Sequence, residues 1–86
     1  MEKKVIKYFK NYCNDLIEMV DAKIDSYGNS IEEQQNVFSN LSPIESVKVR
    51  IDDKLSRIAN GNNNFNEDTI KDLIGYLLWY DYLNNK

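Results

Sequence analysis

Glu67 to Asn84 reads EDTIKDLIGYLLWYDYLN, and the placement of its apolar residues decides the fold class. Ile70, Leu73, Ile74, Leu77, Leu78, Trp79, Tyr80, Tyr82 and Leu83 recur at helical spacing and surround much of the circumference. This predicts a helix that is covered on more than one side. Asn66, Glu67 and Asp68 suit its start, because their side chains accept bonds from the open N–H groups of a first turn and complement the helix dipole. Gly75, in mid-helix, costs about 1 kcal/mol relative to alanine, and a close crossing with another helix would explain it.

Before this helix, the polar run NGNNNFN at Asn60 to Asn66 reads as a loop. Ahead of it, Ser42, Pro43 and Glu45 spell the clearest helix start in the chain: an N-cap hydroxyl, a proline at the first helical position and a capping-box carboxylate. Ile44, Val47, Ile51, Leu55 and Ile58 mark the expected buried face of that third helix, which ends at Asn60-Gly61. A long first helix is expected over about Glu2 to Ser26, with Val5, Ile6, Phe9, Tyr12, Cys13, Leu16, Ile17, Val20 and Ile24 along one stripe. Gly28 tolerates the positive φ at which it must end, and Ser30 with Glu33 forms a capping box for a short second helix ending near Asn40. Nowhere does a period-two alternation predict a strand. The expectation is one all-α domain over residues 1–86, a small antiparallel bundle of about four helices.

A chain of 86 residues buries only about 60% of its unfolded surface, so small scaffolds add disulfides, a metal or self-association. One cysteine and no histidine exclude an internal disulfide, the usual zinc sites and nucleophile–histidine dyads. Self-association is what remains, and the last helix has more apolar surface than three neighbours can cover. A homo-oligomer, dimer or larger, is therefore expected. Cys13, on the apolar stripe, reads as inert core. The amino-terminal MEKKVIKYFK has charges every few residues, unlike a secretory signal, and the longest apolar stretch, Ile74 to Tyr82, is shorter than the roughly 20 residues that cross a bilayer. No membrane partner and a cytoplasmic location are expected. Net charge is −3 and two of the eleven basic residues are arginine, which argues against coating long nucleic acid but leaves a small anion open as ligand.

Three constellations have possible chemistry. The turn Ser26-Tyr27-Gly28-Asn29-Ser30 presents an aromatic ring, an amide, a hydroxyl and the N–H groups that open a helix, which attract phosphate. The same residues also serve simply to stop one helix and cap the next. Arg50, Lys54 and Arg57 share a helix face, as a phosphate clamp would, although Asp53 lies among them and ordinary intrahelical ion pairs fit the spacing equally. Asp68, Asp72 and Tyr76 stack on one side of the last helix, where two carboxylates suit Mg²⁺ or a plain first helical turn. Lys3, Lys4, Lys7 and Lys10 read as solvated surface.

In order, DSYGNS at Asp25 to Ser30, RIDDKLSRI at Arg50 to Ile58 and EDTIKDLIGY at Glu67 to Tyr76 resemble the small helical nucleotide-modification-associated family of phages and bacteria, itself similar to MazG-like pyrophosphohydrolases. The resemblance spans about Asp25 to Tyr80 and implies a helical bundle in a nucleotide context. MazG-like enzymes resemble one another in an ExxE plus ExxD set that holds Mg²⁺ against a triphosphate. Here Glu32 and Glu33 are adjacent, Gln35 and Asn36 follow, and Asp68 and Asp72 stand four apart. The resemblance with this departure implies a protein of phage or prophage type that holds a nucleotide, cyclic or signalling forms included, without cutting it, much as small phage sponges against defence signalling do. Arg50, Lys54 and Arg57 are then expected on phosphate, Asn29 and Ser30 at the helix start and Tyr27 near the base, at a subunit interface and with no cofactor. The alternatives are a Mg²⁺-dependent nucleoside-triphosphate pyrophosphohydrolase using Asp53, Asp68 and Asp72, and a protein-interaction module without a small ligand.

Overall fold

The computed structural model describes residues 2–29, 31–32, 40–61 and 68–86, with Tyr27 described by its backbone alone. Among the described residues there are three helices and no strand: α1 (Lys4–Tyr27), α2 (Pro43–Ala59) and α3 (Thr69–Asn85). The all-α expectation holds at this level. Of the short helix expected between Ser30 and Asn40, Ile31 and Glu32 form a turn and residues 33–39 lie outside the description, as does the Ser30–Glu33 capping box.

Each boundary has a local cause. Gly28, with φ +69°, ends α1 in the left-handed region that side chains avoid. The Ser42 hydroxyl accepts a 3.3 Å bond from the Glu45 N–H and Pro43 opens α2, as the sequence predicts. Gly61, again at φ +69°, follows the last residue of α2 by two. Asp68 caps α3 by accepting a 3.0 Å bond from the Lys71 N–H.

α2 and α3 form an antiparallel hairpin and share the most extensive contact, while α1 touches α3 over a smaller area. α3 is thus central, although Ile70, Leu77, Leu78 and Tyr82, expected to be covered, stand exposed on it. The packing is sparse. Leu16 and Val47, each 2% exposed, are the buried hydrophobic side chains among the described residues, whereas thirteen large ones stand exposed. Several expected core positions are not core. On α1, Val5, Ile6, Phe9, Cys13 and Ile17 face outward, and on α2 so do Leu55 and Ile58. The reason lies in α3: it covers α1 chiefly around Leu16 and Val20, and it meets α2 on a face turned toward Lys54, which is buried at 6% exposure. The radius of gyration, 14.7 Å, exceeds the about 12 Å of a compact domain of this length. α1, about 36 Å long against about 25 Å for α3, adds to that elongation.

Candidate functional site

The contacts of α3 with α1 follow the same chain order on both helices. Lys71 places its ammonium 5.1 Å from the Tyr12 ring centroid, and Gly75 lies under Leu16 and Val20. Further on, Trp79 and Ile24 line the same clefts. A Cβ at Gly75 would stand 3.7 Å from Val20 and 3.9 Å from Leu16, ordinary contact distances, so the helices cross here without the crossing itself requiring a glycine. Grooves open on either flank of this crossing.

The first groove encloses about 380 Å³, and Met19, Lys23, Asp72 and Tyr76 give it its character. The second, about 520 Å³, is bordered by Ile17, Asp21, Glu32, Leu78 and Tyr82. Val20, Ile24, Asn29, Gly75 and Trp79 line both. These volumes lie within the roughly 300–1,000 Å³ of small-molecule sites, and an apolar lining with a few placed polar groups suits such a site.

At one end of the first groove Asp72 joins all three helices. Its carboxylate receives the Lys23 ammonium of α1 at 3.3 Å and the Lys54 ammonium of α2 at 3.5 Å. A buried ammonium needs such a partner, because losing water costs it several kcal/mol. Where α1 ends, Glu32 takes a 2.7 Å bond from Lys86, and its backbone N–H donates to the Asn29 side chain at 3.3 Å. Lys86, then Asn29 and Tyr82, hold the Glu32 carboxyl below its ordinary value, and the same bond holds the Lys86 ammonium above its own. Tyr12 is half-buried, and its hydroxyl has no hydrogen-bond partner among the described residues. Burial first, and the Asp68 carboxylate second, push its pKa up.

No family model, no curated protein and no solved structure matches the chain. The geometry therefore speaks alone.

It distributes the expected site residues widely. Asn29 lines both grooves, while Ser30 and the Tyr27 side chain lie outside the description. Arg50, Lys54 and Arg57 do not present one solvent-facing row: Arg50 is exposed, Lys54 turns inward to Asp72, and Arg57 pairs with Asp53 at 3.3 Å. The carboxylates of the metal alternative are separately engaged. Asp53 meets Arg57, Asp68 caps α3 and Asp72 lies between two ammonium groups, and among the described residues no three potential ligands converge. Lys23 and Glu32 were not anticipated as groove residues. Lys23 had a signal, since it stands seven residues after Leu16 and so on the same face of α1, whereas the Glu32–Lys86 pair joins residues 54 apart and has none.

Proposed function

We propose that this chain is a non-catalytic, self-associating helical binding module whose α1–α3 cleft takes a nucleotide-class ligand. The observation that carries self-association is the imbalance between two buried hydrophobic side chains and thirteen large exposed ones among the described residues. Association would cover such side chains, and it is the route left to a short chain with one cysteine and no histidine. Sedimentation of the full chain tests it. A mass at least twice 10.1 kDa at micromolar concentration is expected, and a monomer overturns it.

The ligand reading is supported by the cleft itself. The Trp79 and Tyr76 rings offer stacking surface for a base, and Lys23 and Asn29 offer donors to an anionic group. The ordered likeness to nucleotide-modification-associated proteins points to the same ligand class. In calorimetry against linear and cyclic nucleotides, with mass spectrometry of the bound species, a nucleotide recovered unchanged is expected. Lys23→Ala then weakens binding about tenfold, near 1.4 kcal/mol, and Arg50→Ala leaves it intact. The reverse pattern moves the ligand to the α2 row of Arg50, Lys54 and Arg57. Released pyrophosphate with Mg²⁺ would restore the hydrolase alternative, and absence of any binding would leave the interaction module alone.

A further inference from the structure

The charge on α1 is arranged against its own helix. Its N-cap Lys3 makes no side-chain capping bond, the first turn has no acid and the last turn no base. Residues 2–10 contain Lys3, Lys4, Lys7, Lys10 and Glu2, a net +3, while residues 15–25 contain Asp15, Glu18, Asp21, Asp25 and Lys23, a net −3. Cations at the amino end and anions at the carboxyl end both oppose the helix dipole, an arrangement that destabilises a lone helix by a few tenths of a kcal/mol per charge.

The same pattern is favourable for a neighbour that runs the other way. In an antiparallel pair each lysine-rich half lies beside the acidic half and the negative dipole end of the other helix. In a parallel pair like meets like. The lysines and the four acids are all exposed, with Lys10 reaching back to Glu2 at 3.5 Å. An apolar edge runs between these charged halves: Ile6, Cys13 and Ile17 share one side of α1, with Phe9 next to them, and all four are exposed. Leu78 and Tyr82 of α3 border the same edge through the groove at Ile17.

We infer that α1 docks antiparallel against α1 of a second copy of this chain, along the Ile6–Cys13–Ile17 edge and centred near Cys13. The inference rests on the self-association proposed above and specifies its geometry. Phe9 of one copy then lies opposite Ile17 of the other, and the bare amino-terminal half of each α1 continues the groove bordered by Leu78 and Tyr82. Two Cys13 thiols stand near the twofold axis, whereas positions far from the centre are separated from their own copies: residue 6 lies about 21 Å from its counterpart along the axis.

The test uses the full chain. A short bis-maleimide should join two copies through Cys13, while Ile6→Cys in a Cys13→Ser background should not self-link. A variant with Lys3, Lys4 and Lys7 changed to Glu, and another with Glu18, Asp21 and Asp25 changed to Lys, should each lose dimer at least tenfold with helical circular dichroism retained. Mixed, the two should associate as a heterodimer. A dimeric chain that does not link at Cys13, or that links at position 6, overturns the antiparallel geometry and leaves self-association standing. A monomeric chain overturns both, including one that binds anionic vesicles through its lysine-rich half. Should a charge variant lose its helical signal, the linking pattern of the unaltered charges decides alone.

Discussion

The α2–α3 hairpin and α1 solve the same problem with different success. The hairpin buries Val47 and turns Lys54 inward onto Asp72, so that its buried charge is answered within the chain, although Val49, Leu55, Ile58, Ile70, Leu77, Leu78 and Tyr82 stay exposed on it. α1 is longer, yet α3 covers it chiefly at Leu16 and Val20, and its first half leaves Val5, Ile6, Tyr8 and Phe9 exposed. The difference teaches that amphipathicity records a helix's need for a partner without naming one. For the hairpin the partner is the neighbouring segment of chain, reached through a short connection. The first half of α1 is left largely uncovered by the described residues.

Asp72 offers the largest test of this contrast, because it serves both regions at once. Asp72→Ala should destabilise the fold by about 3 kcal/mol in urea unfolding, since Lys54 is then a buried cation without its carboxylate. Lys23→Ala should cost under about 1 kcal/mol, because that ammonium is largely exposed and solvent-screened. Equal losses for the two would erase the distinction between a tightly held hairpin and a loosely held α1.

Gly75 probes the crossing alone. Gly75→Leu should force Val20 and Leu16 away and cost about 2 kcal/mol, as overpacking does, while Gly75→Ala should stabilise by up to about 1 kcal/mol because a methyl group there makes ordinary contacts. Thermal unfolding of the three proteins reads both signs. On the hairpin side, Ser42→Ala should cost about 1 kcal/mol by removing the acceptor of the Glu45 N–H.

The smallest effect is expected where α1 ends. Glu32 titrates below its ordinary 4.5, so its contribution is present above that value and is lost as pH falls through the lower, folded-state pKa. Lys86 titrates above its ordinary 10.5, so its share is present below that value and is lost as pH rises through the folded-state pKa. Melting temperatures of the protein and of Glu32→Gln should therefore differ slightly near neutrality and converge in strong acid. Persistent separation at pH 2 would sink the assignment.

Much of this was legible before the fold. Ser42, Pro43, Gly28 and Asp68 each declared a role through local chemistry, and the structure places each of them in that role, whereas the Glu45 carboxylate meets Lys48 and Gly75 has room for a methyl group. The α2 face was legible only in part. Periodicity nominates Leu55 and Ile58 for the interior, but the helix turns to bury Lys54, because Asp72 on the facing helix offers a carboxylate there. The groove was hardly legible at all: Lys23 and Trp79, or Glu32 and Lys86, come together through packing between distant segments.

What the sequence determined by itself is therefore local: three helices among the described residues, most of their ends, their apolar character and the bipolar charge of α1, all consequences of neighbours within a turn or two. Tertiary structure alone decided which side of each helix is covered, that Asp72 answers two lysines, and that half of α1 lies bare. Those outcomes depend on the rotation and approach of whole helices, which many contacts fix together and no single spacing encodes.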